Sequence, residues 1–188
     1  MIRLIISEFK QWIGFFIIYF PETKLGAYIR KKFWGYVLGE RLGPDCIIER
    51  GAVIGEPDKV YIGAHFLLGD SAVIAAGDSH PVWIGNHVAI ARHSYVRTAN
   101  HCFSNLNVPI LNQGHNCKTI LFQGAPYSIV IEDDVWIGAN VMLLSGAHIG
   151  KGSVVGAGAV INKSIPPYSI VVGNPCRIIK SRIDLAIN

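Results

Sequence analysis

Two adjacent side chains, His101 and Cys102, have the chemistry of a catalytic centre. An imidazole titrates near neutral pH, so His101 is the best candidate in the chain for a general base. The thiol of Cys102 would instead offer a covalent nucleophile. Both residues stand early in a stretch between Val96 and Ile131 that is rich in Asn, Gly, His and Gln. Their types alone leave both roles open.

Composition and charge narrow the range of functions. The 188-residue chain is 51% hydrophobic and 16% charged, which is typical of one packed domain and not of a disordered protein. The formal net charge is +4 and the pI about 8.9, but there is no long basic run and no known nucleic-acid-reading motif. We therefore expect no nucleic-acid partner, and we assign the mild positive charge to the binding of a phosphorylated cofactor.

A six-residue period indicates the elements that must hold these side chains. In the stretch IEDDVWIGANVMLLSGAHIGKGSVVG, residues 131–156, a large aliphatic residue returns at every sixth position. This period fits neither an α-helix nor a single strand, whereas it is the signature of a β-helix, in which three such faces close one triangular coil. The period places the following residues in the core: Ile48, Ile54, Ile62, Leu68, Ile74, Ile84, Ile90, Val96, Ile131, Ile137, Leu143, Ile149, Val155 and Ile161. The sequence thus predicts an all-β fold, a parallel β-helix, and proteins with such a hexapeptide repeat form the left-handed parallel β-helix.

Two further features of the repeat locate its corners and a loop. Glycine often follows the aliphatic residue, as at Gly63 and Gly138, and we expect it near a tight corner that needs unusual backbone angles. The period is interrupted between Val96 and Ile131, and an insertion into a β-helix must leave at one corner as a loop. We therefore expect an extended active-site loop over residues 99–128.

The N-terminal segment, residues 1–45, has few glycines and many aromatic residues. Its longest apolar run, Trp12 to Phe20, is much shorter than the roughly 20 residues of a membrane-spanning helix. We predict two helices, at about 2–19 and 22–38, that cap the main body or a partner subunit. Peripheral membrane contact through residues 1–40 is the alternative, motivated by the aromatic run and by a basic cluster of Arg30 and the two lysines after it.

With these motifs in view, the sequence resembles the hexapeptide-repeat acyltransferases, in particular the maltose, galactoside and nodulation-sugar O-acetyltransferases and the enzymes that decorate capsule or O-antigen sugars. The matching pieces are RTANH, which ends at His101, the block IVIEDDVWIGANVMLLSGAHIGKGSVVGAGAVINKSIPP, and VVGNPCRII near the C-terminus. The resemblance covers about residues 47–180. It implies an acetyl-CoA-dependent transferase that acetylates a sugar hydroxyl, in surface polysaccharide biosynthesis, and a homotrimer whose active sites lie between subunits.

The resemblance also implies roles for single residues. His101 matches the catalytic histidine of the family and would be the general base, and direct transfer leaves Cys102 without a covalent role. The residues that would lie along acetyl-CoA are Trp136, Ala139, Ala157, Asn162, Lys163, Arg177 and Lys180. The two alanines would offer backbone groups to the pantetheine arm, and the last two residues would meet the adenosine phosphates. A solvated basic end is the alternative interpretation of the basic residues.

Fewer residues point to the acceptor. Asp78, before the Ile84 coil, falls near where related enzymes hold a sugar hydroxyl, and Asn100, Gln113 and His115 are candidates from the loop. N-acetylation of an amino sugar, such as a nucleotide-linked one, stays an open alternative, because the same base serves either nucleophile. A non-catalytic β-helix that serves as an assembly scaffold is the second alternative.

The sequence also bears on metal binding, cellular location and the division of the chain into segments. His87 and His93 have the same phase on successive faces of one coil, so they cannot lie side by side, and we expect no metal. Four scattered cysteines and the lack of a cleavable signal peptide of the usual shape favour a cytoplasmic protein with reduced thiols, with a peripheral place at the inner membrane face as the alternative. The predicted division is a helical segment at 1–45, a β-helix domain at 46–180 and a tail at 181–188.

Overall fold

The computed structural model describes residues 11–77 and 80–186. Most of this chain winds into a prism of short parallel strands. In chain order the strands are β1 (Ile47–Ile48), β2 (Val53–Gly55), β3 (Val60–Ile62), β4 (Leu67–Leu68), β5 (Val73–Ala75), β6 (Val82–Ile84), β7 (Ala89–Ile90), β8 (Tyr95–Arg97), β9 (Asn100–His101), β10 (His115–Asn116), β11 (Ile120–Phe122), β12 (Ala125–Tyr127), β13 (Ile129–Ile131), β14 (Trp136–Ile137), β15 (Met142–Leu144), β16 (His148–Ile149), β17 (Val154–Val155), β18 (Val160–Ile161), β19 (Ser164–Ile165), β20 (Ser169–Val172) and β21 (Arg177–Ser181). The helices are α1 (11–18), α2 (Lys24–Leu38) and α3 (Arg182–Ala186), and short 3-10 turns lie at Gly39–Arg41, Pro57–Lys59 and Ile110–Asn112.

The side faces of the prism are three parallel sheets, named A, B and C below. Sheet A has the order β19-β16-β13-β6-β3, and sheet C has the order β18-β15-β8-β5-β2. Sheet B has the order β1-β4-β7-β14-β17-β20, with β21 added antiparallel at its edge. Each coil therefore runs from sheet B to sheet C to sheet A. This is the expected left-handed parallel β-helix.

The predicted aliphatic positions form the core. In sheet A, Ile62, Ile84, Ile131 and Ile149 are register partners on successive strands, so each stacks on the next coil. All the core residues named from the period are buried. Burying one such side chain stabilises a fold by about 1.5–3 kcal/mol, so this stack is the main source of the prism's stability.

The corners lie three residues after the core aliphatic residue. His65, His87 and Asp134 occupy this position and have positive φ of 56°, 56° and 59°. Such residues adopt the left-handed conformation at some cost, which the hydrogen bonds between coils offset. The backbone N–H of His87, for example, donates to the carbonyl of Ala64 in the preceding coil at 2.9 Å.

Glycine is needed directly after the aliphatic residue for a different reason from the one expected. Gly138 and Gly150 do not have positive φ. A Cβ on Gly138 would lie 2.6 Å from the backbone nitrogen of Ala157, and one on Gly150 would lie 2.5 Å from that of Pro167, both in the next coil. These glycines let adjacent coils approach closely, so the expectation of unusual backbone angles at them is wrong.

Two helices cap the first coil of the prism. α2 begins at the N-cap Thr23, whose hydroxyl accepts a hydrogen bond from the backbone N–H of Gly26 at 3.0 Å, and it buries Trp34 and Leu38 against the core. α1 is tied to the prism by the N–H of Gly51, which donates to the carbonyl at position 18 at 3.0 Å. Both agree with the predicted helices, although residues 2–10 of the first prediction lie outside the described residues.

Arg30 does not belong to a surface basic cluster. Its side chain is 0% exposed. Its Nη2 donates to both carboxylate oxygens of Glu22 at 2.7 and 2.6 Å, its Nη1 donates to the carbonyl of Phe20 at 2.8 Å, and its Nε donates to that of Ile48 at 3.2 Å. Arg30 thus locks the helices onto the first coil, and only the two lysines that follow it remain at the surface.

Candidate active site

The long loop between β8 and β13 is anchored by a buried chain of hydroxyl groups. The hydroxyl of Ser128, where the loop ends, donates to the carbonyl of Thr98, where it begins, at 3.2 Å. It also lies 3.0 Å from the hydroxyl of Ser145 in the next coil. Ser145 in turn accepts a hydrogen bond from the backbone N–H of Lys118, in the middle of the loop, at 2.6 Å. Both ends and the centre of the loop are therefore held at one corner, between sheets C and A.

The first part of the loop is a two-stranded antiparallel ribbon that presents His101. In this ribbon β9 pairs with β10, and the register partners are His101 with His115 and Asn100 with Asn116. The two imidazole ring centroids are 4.6 Å apart, and both side chains are exposed. The ribbon thus brings together the predicted base and two of the predicted acceptor residues. An accessible imidazole beside polar groups can take a proton from a bound hydroxyl.

The cysteines are all free thiols and differ in their surroundings. Cys102 is half-buried, and its backbone N–H donates to the carbonyl of Gly114 at 3.1 Å as the ribbon ends. Cys46 lies buried at the first coil, far along the chain from the loop, where desolvation raises the pKa of its thiol. A protonated thiol is a poor nucleophile, so Cys46 is a structural residue.

Gln113 has its polar groups engaged within the loop. Its side-chain nitrogen donates to the carbonyls of Asn105 and Val108 at 2.8 and 2.7 Å, and its side-chain oxygen accepts from the N–H of Asn105 at 3.0 Å. This predicted acceptor residue therefore shapes the loop that carries His115. Asp78, the other predicted acceptor residue, lies outside the described residues.

The second part of the loop folds back over sheet A. Its hairpin, β11 with β12, places the ring of Phe122 at a centroid distance of 4.8 Å from Trp83 and 5.6 Å from His148. Val130, between them on sheet A, is fully buried as a result. His148 is further fixed by Glu132 at 2.7 Å, so it is a structural residue. The hairpin covers one side face of the prism and fixes the loop to it.

The predicted cofactor residues on sheet B and its following corner form one group. Trp136 projects from sheet B and is 57% exposed. Ala139 and Ala157 stand on adjacent coils at the corner between sheets B and C, where the N–H of Gly158 donates to the carbonyl of Ala139 at 2.9 Å. Small residues at this corner let a thin chain lie against the backbone.

A second group lies at the corner between sheets C and A and continues to β21. Lys163 follows Asn162 there, and its Nζ donates to the carbonyl of Cys176 at 3.3 Å. This contact leads to Arg177 at the start of β21, and Lys180 lies further along the same strand. The four predicted residues are exposed, so the structure presents them to solvent at the C-terminal end of the prism.

One chain does not bring all the predicted site residues onto one face. His101 follows a strand of sheet C, whereas Trp136 projects from sheet B. The predicted base and the exposed tryptophan therefore belong to different sides of the same prism.

Sequence reasoning missed the residues that hold the loop. Ser128 and Ser145 lie in the repeat but carry no motif, and their pairing depends on a contact between coils. Lys118 lies in an irregular stretch where no period predicts a position. The sequence hints at this anchor through Ser128, a polar residue at the point where the loop ends and the six-residue repeat resumes.

His65, His87 and His93, outside the loop, stand at corners of the prism. Among the described residues, no group of three or more His, Cys, Asp and Glu side chains could hold a metal ion. His65 and His87 stack with ring centroids 4.6 Å apart at the corner between sheets A and B, and His93 lies at the next corner of the coil.

Comparison with known families gives one matching sequence profile. Residues 128–163 match the family described as bacterial transferase hexapeptide (six repeats). This region covers the hydroxyl anchor of the loop, the exposed tryptophan and the first basic residue of the C-terminal group.

Curated relatives are acetyltransferases. The chain is 36% identical to the galactoside O-acetyltransferase of Lactococcus lactis over 57% of its own length and 46% of the relative. It is 34% identical to a putative acetyltransferase of Saccharomyces cerevisiae over 77% of its own length and 68% of the relative. The chain thus spans less than half of the first of these relatives and about two thirds of the second.

A solved structure extends the likeness over most of the fold. The hexapeptide-repeat acetyltransferase of Vibrio cholerae in complex with acetyl coenzyme A superposes with a TM-score of 0.72 at 30% identity. The match covers 89% of this chain and 82% of that one.

Proposed function

Because the chain belongs to the hexapeptide-repeat acetyltransferases, we propose that it transfers an acetyl group from acetyl-CoA to a hydroxyl group of a sugar. The observation that carries this proposal is the exposed His101 on a ribbon that is anchored to the prism by buried hydroxyl groups. A non-catalytic scaffold has no need for an exposed imidazole that is held so firmly. N-acetylation of an amino sugar is the alternative reaction and is tested in the same assay, since the same base would serve an amine acceptor.

The proposed reaction is a direct transfer. The imidazole of His101 takes the proton of the sugar hydroxyl as the oxygen attacks the thioester carbonyl. The carbon–sulfur bond then breaks, and the protonated imidazole returns the proton to the departing CoA thiolate. His115 and Asn100, beside the base, would hold the acceptor. Gln113 would act indirectly, by holding the loop in shape.

The acetyl donor would lie along the two groups of predicted cofactor residues. Ala139 and Ala157 would let the pantetheine arm approach the backbone, and Trp136 would line its path. Asn162, Lys163, Arg177 and Lys180 would meet the distal part and the phosphates.

A homotrimer would complete the site. The outward residues of sheets B and C form two apolar columns in strand register, whereas sheet A is covered by the chain's own hairpin. The columns are Ile47, Leu67, Ala89, Trp136, Val154 and Ile170 on sheet B, and Val53, Val73, Tyr95, Met142 and Val160 on sheet C. Cyclic assembly that packs sheet B of one subunit against sheet C of the next buries both columns. It would also bring Trp136 of one subunit towards the loop of its neighbour.

A peripheral membrane contact is a second proposed partner interaction. Trp12, Phe15 and Phe16 on α1, with Tyr19 directly after it, are called the outer stripe below; they follow the helical spacing and are all exposed. Aromatic side chains of this kind favour the membrane–water interface. No helix among residues 11–77 and 80–186 is long and apolar enough to cross a membrane. Such a contact would bring the site to a lipid-linked saccharide, and the cytoplasmic location stays a prediction.

The proposed function is tested by the release of free CoA thiol from acetyl-CoA in the presence of sugars, amino sugars and nucleotide-linked sugars. We expect turnover with a hydroxyl acceptor and a loss of about 10²–10⁴-fold in kcat for His101→Ala. His93→Ala, which changes another exposed histidine, is the matched control and should keep full activity. No turnover with any acceptor, together with no binding of acetyl-CoA in calorimetry, would overturn the enzyme assignment.

A further inference from the structure

We propose that Lys118, a residue of the active-site loop, is a cofactor-binding residue that contacts the phosphate groups of CoA. This inference rests on the proposed function and adds to it a residue outside the repeat. It assigns to the loop a second task besides presenting His101.

The path of the Lys118 side chain is set by the prism. A Cβ placed on Gly146 would lie 2.5 Å from Cδ of Lys118, so the aliphatic part of the lysine lies directly over this glycine. Gly146 has φ of +90° and stands at the corner between sheets C and A. The side chain crosses this corner and ends with its Nζ 3.2 Å from the carbonyl oxygen of Asn162, in the next coil.

This position joins Lys118 to the basic group at the C-terminal end of the prism. Asn162 is followed by Lys163, whose own Nζ lies 3.3 Å from the carbonyl of Cys176, and Arg177 comes next in the chain. Lys118 and Lys163 thus each touch a backbone carbonyl, which orients the ammonium group without neutralising its charge. Three cations from three separate segments form a surface suited to a multiply charged anion.

Lys118 is preorganised for this task. Its backbone N–H donates to the buried hydroxyl of Ser145 at 2.6 Å, which fixes the main chain at the start of the side chain. An ammonium group that is already placed loses less conformational entropy when a phosphate binds. The ammonium group of Lys118 favours an anionic ligand, because an ammonium group with free donors binds phosphate oxygens well.

The test compares two donors that differ in their phosphates. Acetyl-CoA carries three phosphate groups and acetyl-pantetheine carries none. The kcat/KM of each donor is measured for the wild-type chain, for Lys118→Met, which keeps the aliphatic cover over Gly146, and for Lys118→Arg, which keeps the charge. Lys32→Met is the matched control, because Lys32 is an exposed lysine of α2, which caps the first coil, at the other end of the prism from the basic group.

We expect Lys118→Met to lower kcat/KM for acetyl-CoA about fivefold and to leave the value for acetyl-pantetheine within about twofold. Lys118→Arg should keep at least about half of the wild-type value, and Lys32→Met should change kcat/KM for neither donor. An equal loss with both donors, or no loss with either, overturns the inference for Lys118 and leaves the proposed function standing. A wild-type chain that neither binds nor uses acetyl-CoA overturns both.

Discussion

His115 lies directly opposite His101 across an antiparallel ribbon, and the two imidazole rings are 4.6 Å apart. A group at this distance from the proposed base is within reach of the same small substrate. The ribbon fixes the pair through its backbone, so the relation does not depend on a contact between the rings.

His115→Ala should therefore affect the acceptor more than the chemical step. We expect the KM for the sugar to rise about tenfold and kcat to change less than about threefold, because binding is lost while His101 stays in place. Steady-state kinetics at saturating acetyl-CoA give both values. Asn116→Ala, one residue along the same strand, is the control. A loss confined to kcat would contradict an acceptor-binding role.

Mixing inactive subunits tests whether the site is shared. In a trimer in which His101 and Trp136 of one site come from different subunits, equal amounts of His101→Ala and Trp136→Ala chains, coexpressed or refolded together, should recover about a quarter of the wild-type sites. Neither variant alone should show more than residual activity. If mixed trimers form, as verified by mass, and stay inactive, each site is built within one chain.

Arg30→Met should destabilise the helical cap. The substitution leaves the carbonyls of Phe20 and Ile48 without their donor and separates α2 from Glu22. We expect the free energy of unfolding to fall by about 2–4 kcal/mol, as for a broken buried ion pair whose acidic partner can still reach solvent. Chemical denaturation at one fixed protein concentration gives the value. Lys32→Met, on the exposed side of the same helix, should stay within about 0.5 kcal/mol of wild type.

Two glycine substitutions separate close approach from backbone conformation. Gly150→Ala places a methyl group 2.5 Å from the backbone nitrogen of Pro167, whereas a methyl group on Gly158, which has φ of +72°, would enter open space. We expect a loss of more than about 2 kcal/mol for Gly150→Ala and about 1 kcal/mol for Gly158→Ala. Gly158→Asn should cost less than Gly158→Ala, since asparagine tolerates this conformation. Thermal and denaturant unfolding rank the variants, and the reverse order would contradict the roles assigned.

The outer stripe predicts binding to lipid vesicles. The full chain should float with vesicles of anionic phospholipid, and Phe15→Ser combined with Phe16→Ser should lower the bound fraction about tenfold or more, because two exposed aromatic rings no longer enter the interface. Tyr36→Ser, which removes an exposed aromatic residue of α2 outside the stripe, is the control. Absence of the wild-type chain from the floating fraction would end the proposal.

The regular part of the fold could be predicted from the sequence, and the irregular part could not. A period of six fixes which residues face inward, so Ile62, Ile131 and Ile149 were assigned to the core without any contact being known. Local patterns also located the loop and His101. The burial of Arg30 escaped prediction because its partners lie on separate elements, at Glu22 and Ile48.

The same limit explains the residues of the site that were missed. Lys118 reaches Asn162 only because the loop folds back onto the prism, and Ser128 meets Ser145 only because coils stack. Neither distance is encoded within a window of neighbouring residues. The role of the repeated glycines escaped prediction for a similar reason. The backbone atom that a methyl group on such a glycine would meet belongs to the next coil.

Strands β8 and β15 are direct partners in sheet C, with Tyr95 opposite Met142, although residues 98–128 lie between their coils in the chain. The scaffold therefore continues its winding past the insertion without a change of register. Under the proposed function, a loop that keeps Lys118 could therefore change its other residues, and with them the choice of acceptor, while the coils that carry the remaining donor-binding residues stay the same.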